Sequence, residues 1–395
     1  MRQPVGFTDG TDRVVRLLRS LYRLKQAARL WNRHMTAQLK SVGFRQLFTD
    51  NAVYIRDTEL GTTITGIHVD NALTFSSSRK ELAAARHDLH SLFEMKEEDP
   101  NWIMGFELFD DRKQGTISIS HEKYIISILR RFKMEDCTPE VIPMRPSYVL
   151  TKDDGPKNAQ EADDMKRRPY RELLGALTWI SVISRPDISF AVNNLAQFNA
   201  DPGPKHWRAA KRILQYLTGT RDYRLVLGGD DADTHTFDTL AGYSDSDWAR
   251  NIDDRRSVSG YVFKIGKATV AWSSKKQTTV AASSTEGGYM ALSFAAKQGL
   301  WMRRLLTEMG CPHERAPTTI RGDNQGSIDL TKDARHHART KHIDVHHHFV
   351  RERVSDGTFV VEHQPSRQLV ADILTKPLER EDFERLRDSL GLVPA

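Results

Sequence analysis

The chain has 395 residues, of which 39% are hydrophobic and 28% are charged, and its formal net charge is +6. The length predicts two or three domains, and neither a long apolar run nor a signal-peptide pattern is present, which argues against a membrane-spanning or secreted protein. Only Cys137 and Cys311 occur, which argues against a disulfide framework and fits an intracellular protein, cytoplasmic or nuclear. The positive charge favours an anionic partner such as nucleic acid, although a solvated basic surface is the ordinary alternative.

The first 150 residues predict an α+β region around a small antiparallel sheet. Apolar residues at three- and four-residue spacing predict one long basic helix over residues 13–42. Further elements follow in chain order: strands at 52–56 and 62–75, a helix at 79–93, strands at 102–109 and 116–120, and a helix at 121–132.

The remainder of the chain predicts a linker, a helical segment and an α/β domain. Residues 151–169 are charged and poor in apolar side chains, as linkers are. Helices are expected from residue 170 to about 220. Within 238–395 the expected elements are strands at 240–245, 258–265, 268–274, 318–322 and 358–363 and a long helix at 284–309. Three strands followed by alternating helices and strands predict a mixed five-stranded sheet with helices on both faces, in an α/β and α+β multidomain protein.

Four acidic residues of this last region lie at strand ends or helix starts: Asp245, Glu286, Asp323 and Asp372. Asp372 is expected in the first turn of a helix. Neighbouring strand ends converge at one edge of an α/β sheet, so these carboxylates predict a site for two Mg²⁺ or Mn²⁺ ions that cuts phosphodiesters. Taken singly, each acid is more simply a helix cap, a turn residue or a first-turn acid; their joint placement favours the metal site.

Basic and amide side chains of the same region predict contacts with a nucleic-acid backbone. These residues are Arg255, Arg256, Lys275, Lys276, Asn324, Gln325, Arg339, Lys341 and His342. The histidine-rich stretch at 336–349 has two interpretations, a zinc site or a basic helix face near nucleic acid, and the second is favoured.

Long motifs resemble those of one family. GYSDSDWA, DDRRSVSGYVF, GDNQGSI and ADILTKPL resemble the ribonuclease H domain of copia-type retrotransposon polyproteins. LYRLKQAARLWN, YRELLGALTWISVISRPDISFAV and HWRAAKRILQYLTGT resemble the palm end, thumb and connection of the reverse transcriptase of the same elements. The resemblance covers essentially the whole chain and keeps the family's order.

The resemblance implies a truncated reverse-transcriptase palm at 1–150, a charged linker at 151–169, a helical thumb and connection at 170–237 and a ribonuclease H domain at 238–395. It further implies RNA-directed DNA synthesis and cleavage of the RNA strand of RNA–DNA hybrids with Mg²⁺ or Mn²⁺. The implied partners are RNA–DNA hybrid and template–primer, with capsid, protease and integrase segments upstream in an intact element.

The chain departs from the family pattern at two places. The family motif Ser-Thr-Glu-Ala-Glu-Tyr is Ser-Thr-Glu-Gly-Gly-Tyr at 284–289, so Gly288 stands where the register places the metal ligand. Glu286 lies roughly 200° away around the helix and replaces that ligand only if the helix start is irregular. The polymerase motif Tyr-Val-Asp-Asp is replaced by His-Val-Asp-Asn at 68–71, which leaves Asp70 as a candidate metal ligand.

These departures lead to two expectations about activity. The strand that bears the family's first polymerase aspartate would precede Met1, and Asn71 replaces an acid, so DNA synthesis is expected to be lost. Hydrolysis of RNA in hybrids is expected if the remaining carboxylates suffice. The alternative is a catalytically dead, nucleic-acid-binding relic of a decayed element.

Overall fold

A computed structural model describes residues 2–3, 6–14, 16–18, 20–21, 23–98, 101–229, 239–311, 316–332 and 344–395. The chain divides into two units, Met1–Glu98 and Asp99–Ala395. The described strands form three sheets, and the mixed α/β and α+β class predicted from the sequence is confirmed.

The first unit is a four-stranded antiparallel sheet with two helices. The elements are α1 (Ala27–Ser41), β1 (Arg45–Gln46), β2 (Val53–Thr58), β3 (Gly61–His68), β4 (Asn71–Ser76) and α2 (Arg79–Leu92), and the strand order is β1-β2-β3-β4. The segment predicted as one strand at 62–75 is a tight hairpin, in which His68 pairs with Asn71 across a turn at Val69 and Asp70. The core of this unit consists of Met35, Leu39, Phe44, Tyr54, Ala85 and Leu89.

The predicted helix at 13–42 is wrong in its first half. The described residues between 13 and 26 are not helical, and α1 begins only at Ala27. Leu17 and Leu21, two of the apolar residues at helical spacing, are 36% and 47% exposed. Arg23 has a φ of +69°, a left-handed conformation that a right-handed helix excludes. Apolar spacing produces a helix only where a partner surface covers the apolar stripe.

The second unit contains a five-stranded antiparallel sheet and a group of helices. The elements are β5 (Trp102–Ile103), β6 (Phe106–Asp111), β7 (Thr116–Ser120), α3 (Glu122–Arg131), α4 (Ala159–Lys166), α5 (Tyr170–Ile183), α6 (Ser189–Ala196), α7 (Pro204–Gly219), β8 (Arg224–Gly228) and, near the end of the chain, β14 (Leu392–Val393). The strand order is β14-β8-β7-β6-β5. Residues 151–169, expected to be a linker, instead include a 3₁₀ turn and α4, because Met165 is buried in the helical core.

The third sheet is mixed and has five strands, as predicted. Its elements are β9 (Leu240–Asp247), β10 (Val258–Ile265), β11 (Ala268–Lys276), α8 (Ser284–Glu308), β12 (Thr318–Gly322), α9 (Gln325–Lys332), α10 (Asp344–Ser355), β13 (Phe359–His363) and α11 (Arg380–Ser389). The order is β11-β10-β9-β12-β13, with β9, β12 and β13 parallel and the β9–β10–β11 pairings antiparallel.

Both faces of this mixed sheet are covered. Successive residues of β10 point to opposite faces, so Val262 enters the core shared with α5, α6 and α7, whereas Tyr261 and Phe263 enter the core under α8. The helices at 170–219 and the sheet beyond residue 238 therefore share one core. None of the helices in the described residues combines the length and the apolar character that crossing a bilayer requires.

Candidate metal centre

Asp245 and Asp323 meet because β9 and β12 are parallel neighbours. Ile320 pairs with Gly242 and Arg321 with Tyr243, and the same offset places Asp323, the first residue after β12, opposite Asp245. Parallel strands bring their carboxyl ends to one edge of a sheet, so the two carboxylates face the same space.

Asp372 reaches this edge on a 3₁₀ helix, Val370–Leu374, and not in the first turn of an α-helix as predicted. Pro377 follows closely and cannot continue a helix. The segment lies against β10 at Gly260, the residue that pairs with Asp245. A Cβ at Gly260 would come within 2.8 Å of Thr375 Cγ2 and 2.9 Å of Leu374 Cβ, so only glycine permits this approach.

The three aspartates, hereafter the triad, form a compact cluster of oxygen ligands. Asp245, Asp323 and Asp372 each offer a carboxylate oxygen, and these oxygens lie within 4.8 Å of one another. Asp245 and Asp372 are only 5% and 4% exposed. Asp372 Oδ1 is buried and has no hydrogen-bond partner among the described residues. A buried, unpaired carboxylate oxygen is costly unless a cation or a proton reaches it, which indicates a ligand position.

Burial and mutual repulsion shift the acidity of the triad. Burial, reinforced by the Asp372 carboxylate, raises the pKa of Asp245 to about 7. Burial and the Asp245 carboxylate raise the pKa of Asp323, and burial raises that of Asp372 against the lowering effect of Lys376. Without a cation the triad therefore holds protons at a pH where isolated carboxyl groups are ionised.

Sequence reasoning did not single out three residues that contact the triad. The Thr375 hydroxyl donates a short hydrogen bond to Asp245 Oδ2, and Ser366 Oγ donates to Asp372 Oδ2 at 3.0 Å. Lys376 Nζ lies 2.7 Å from Asp372 Oδ2. Burial alone would lower the pKa of Lys376, but the carboxylates of Asp245 and Asp372 raise it. The spacing of Asp372 and Lys376, four residues apart, is the sequence signal that points to this pair.

Glu286 does not join the triad. Its Oε2 accepts a hydrogen bond from the Ala282 backbone N–H at 2.7 Å, and its own N–H donates to Ser283 Oγ at 3.1 Å. Glu286 thus caps the start of α8, which is regular, so the irregularity needed for a metal-binding Glu286 is not found. The Glu286 carboxylate faces the preceding turn, away from the triad.

Gly288, unlike Glu286, lines the cavity beside the triad. A cavity of about 200 Å³ is lined by Asp245, Asp323 and Gly288 together with Ser284, Asn324, Ser327 and Lys376. A Cβ on Gly288 would lie 2.4 Å from Ser327 Oγ. That hydroxyl donates to Thr285 O and Asn324 Oδ1, so it occupies the space that a longer side chain at 288 would need.

The predicted backbone-binding residues are partly engaged within the protein. Lys276 Nζ lies 2.8 Å from Asp254 Oδ2, and Arg256 Nε lies 3.7 Å from the same oxygen. Lys275 is exposed and stacks its ammonium 5.6 Å from the Phe294 ring centre, and Arg255 is exposed.

The predicted amide contacts also have structural roles. Asn324 caps α9 through Ser327, and Gln325 donates to Asp329 along the same helix. Arg339, Lys341 and His342 lie outside the described residues, as does most of the histidine-rich stretch.

Asp70, the remaining predicted ligand, lies in the exposed turn of the β3–β4 hairpin in the first unit. Val69 beside it has a φ of +60°, and its carbonyl oxygen accepts a hydrogen bond from Trp31 Nε1 at 2.6 Å. Among the described residues, the cluster of three or more potential metal ligands is the triad, and Asp70 belongs to no such group.

Comparison with known proteins identifies relatives along the whole chain. The family model for reverse transcriptase (RNA-dependent DNA polymerase) matches residues 1–146. The retrovirus-related Pol polyprotein from transposon TNT 1-94 of Nicotiana tabacum is 36% identical over 99% of this chain and 29% of its own length. The corresponding polyprotein from transposon RE2 of Arabidopsis thaliana is 34% identical over 100% of this chain and 26% of its own length. The chain thus spans less than a third of these curated relatives.

Among solved structures, LC11-RNase H1 in complex with an RNA/DNA hybrid is similar to part of the chain. It is 14% identical, with a TM-score of 0.27, over 35% of this chain and 94% of that protein.

Proposed function

Because this chain belongs to the copia-type retrotransposon Pol polyprotein family, we propose that its triad hydrolyses the RNA strand of RNA–DNA hybrids with Mg²⁺ or Mn²⁺. The observation that carries the proposal is the convergence of Asp245, Asp323 and Asp372, with one buried oxygen of Asp372 left unpartnered. Three carboxylates form the all-oxygen donor set that hard divalent cations prefer, so the residues present fit such an ion.

A bound divalent cation would activate a water molecule and stabilise the leaving 3′ oxygen. The chain's own residues hold the ligands in place: Thr375 fixes Asp245, and Ser366 and Lys376 fix one oxygen of Asp372. Lys276 pairs with Val258, which in turn pairs with Asp247, so the end of β11 lies at the same sheet edge as the triad. The exposed ammonium of Lys275 at this edge is suited to a phosphodiester backbone.

The test is cleavage of a fluorophore-labelled RNA–DNA hybrid in Mg²⁺ or Mn²⁺. Asp323→Asn keeps the shape of the side chain and removes its charge, so we expect the cleavage rate to fall on the order of 100-fold or more. Asp329→Asn, six residues further on the exposed face of α9, is the matched control and should cleave at the wild-type rate. Equal metal-dependent cleavage by wild type and Asp323→Asn would overturn the proposal.

A second candidate function is hybrid binding without cleavage. The observation that favours it is the loss of an acid at Gly288 together with the capping role of Glu286, which leaves three carboxylates. Fluorescence anisotropy would then show hybrid binding that weakens steeply with salt. Binding by the wild-type chain without any product in Mg²⁺ or Mn²⁺ would favour this candidate over the nuclease.

We also propose that the Asp70 hairpin does not support DNA synthesis. Asn71 offers a neutral amide where the family has an acid, and charged ligands are what bridge divalent cations in such sites. Primer extension on a primed RNA template should therefore equal the background of an Asp70→Ala variant. Extension above that background would refute the proposal.

A further inference from the structure

The charges around the triad do not match a pair of divalent ions. The three carboxylates carry three negative charges when ionised, and Lys376 contributes one positive charge within 2.7 Å of Asp372. Asp247, on the same edge, is already paired with Arg250 at 3.1 Å. One divalent cation would therefore bring the cluster to neutrality, whereas two would leave a buried excess of positive charge, which is costly.

The hydrogen bonds of the carboxylate oxygens also favour one divalent cation. Asp372 Oδ2 accepts hydrogen bonds from Ser366 and Lys376, and Asp245 Oδ2 accepts one from Thr375. Asp372 Oδ1 is buried and accepts no hydrogen bond from any of the described residues. Protein donors, including the Lys376 ammonium, therefore already occupy the Oδ2 atoms of Asp372 and Asp245. Asp372 Oδ1 remains open to an ion.

Neither position 288 nor position 286 adds a negative charge to the triad. Gly288 lines the cavity but carries no side chain, and Ser327 Oγ fills the adjoining space. Glu286 is turned towards Ala282 at the start of α8. A second divalent ion would therefore have to share ligands with Lys376.

We propose that the ammonium of Lys376 takes the place of a second metal ion, so that the triad binds one divalent cation per chain. This inference rests on the proposed metal-dependent function. Lys376 is then a positioning residue that fixes Asp372 and neutralises part of the triad, and its charge sets the metal stoichiometry.

The experiment is a titration of the full chain with Mn²⁺ at neutral pH, with free Mn²⁺ followed by electron paramagnetic resonance. We expect one Mn²⁺ per chain for wild type and for Lys376→Arg, which keeps the charge. In Lys376→Met one ion would leave one negative charge and two ions one positive charge, so charge no longer disfavours a second ion, and Asp372 Oδ2 loses the ammonium that occupied it. We therefore expect two Mn²⁺ for Lys376→Met. Lys166→Met removes a positive charge from the exposed face of α4 and should bind one Mn²⁺, as wild type does. Thermal denaturation in EDTA accompanies each titration: Lys376→Met should melt below wild type, and Mn²⁺ should raise its melting temperature by the larger amount.

The outcomes separate this inference from the function on which it rests. Two Mn²⁺ per wild-type chain, or one per Lys376→Met chain that still melts cooperatively, would overturn the role of Lys376 while leaving a metal-dependent nuclease intact. If wild type and Asp323→Asn both bind no Mn²⁺, the metal-dependent function itself is overturned. If Lys376→Met does not fold, Lys376→Gln replaces it in the same titration, with two Mn²⁺ again the expected result.

Discussion

The sequence predicts metal ligands in two regions, at the triad and at Asp70, and the structure brings ligands together only at the triad among the described residues. At the sheet edge of the second unit, two parallel strands and a 3₁₀ helix bring three distant aspartates within 4.8 Å of one another. In the first unit, the hairpin of β3 and β4 leaves Asp70 in an exposed two-residue turn. In the second unit, separate chain segments bring three acids together, whereas the β3–β4 hairpin supplies Asp70 alone, because Asn71 beside it is neutral.

The largest effect should come from removing a buried charge at the triad in the absence of metal. The pKa of Asp245 is raised to about 7 by burial and by Asp372, whereas the unfolded chain titrates near the ordinary value of 3.8. The folded state therefore binds more protons between these values, and wild-type stability should fall as the pH rises from about 4 to about 7. Asp245→Asn keeps an oxygen for Thr375 and should remove this loss, which raises the free energy of unfolding at pH 8 by about 2–4 kcal/mol.

Urea denaturation in EDTA at pH 5 and pH 8 measures this difference. The gain from Asp245→Asn should be small at pH 5, and Mn²⁺ should stabilise wild type but not the variant at pH 8. An equal gain at both pH values would show that the Asp245 carboxylate is not held under repulsion, and the contrast with the hairpin would be lost.

The second prediction concerns the empty fourth position of the site. A Cβ at Gly288 meets Ser327 Oγ at 2.4 Å, so Gly288→Glu alone should destabilise the protein by about 1–3 kcal/mol. Ser327→Ala removes the obstructing oxygen, and the double variant should regain most of this loss and cleave hybrid faster than wild type. Gly175→Glu is the control, because the space around Gly175 in α5 is open. Chemical denaturation of the four proteins provides the test, and equal stability of the two single Gly→Glu variants would contradict the clash.

The fold was more predictable than the side-chain geometry. The strands at 258–265 and 318–322 match the structure to the residue. The first six residues of Val258–Ile265 are buried, and Thr318–Gly322 alternates buried and half-buried residues, as strands do. The helix expected at 13–42 was half wrong, since Leu17 and Leu21 are 36% and 47% exposed and no surface among the described residues buries them. Apolar periodicity indicates a tendency to form a helix. Whether the helix forms depends on a partner surface that covers its apolar side, and the local sequence does not specify that surface.

The same limit applies to the candidate site. Asp245 and Asp323 were predicted to lie at strand ends on one sheet edge, and the parallel pairing of β9 with β12 brings the two residues opposite each other. The role of Glu286 depends on which way one side chain turns. Ser283 followed three residues later by Glu286 is a sequence signature of a helix N-terminus. In the structure these two residues do form capping hydrogen bonds at the start of α8. The approach of Asp372 depends on the missing Cβ of Gly260, a contact between distant segments that no local pattern reveals.

A smaller loss of stability, without a change in metal binding, should distinguish Glu286 from the aspartates of the triad. Glu286→Ala removes the hydrogen bond from the Ala282 N–H and should lower the free energy of unfolding by about 0.5–2 kcal/mol. Mn²⁺ stoichiometry should stay at the wild-type value, because the carboxylate does not face the cavity. Calorimetric melting and an Mn²⁺ titration of the same samples test both parts. Loss of an Mn²⁺ ion from Glu286→Ala would place Glu286 among the ligands after all.

The smallest effect should come from Asp70→Asn in the hairpin. Asp70 is exposed, and no hydrogen bond or ion pair joins its carboxylate to another of the described residues. Exposed substitutions away from such contacts change stability by about 0.5 kcal/mol or less, so the unfolding free energy should be unchanged at pH 5 and at pH 8. Hybrid cleavage should also be unchanged, since the triad supplies the ligands. If Asp70→Asn instead reduced Mn²⁺ binding, an exposed turn would be acting as a metal site without converging partners, and topology would no longer explain why the two motifs differ.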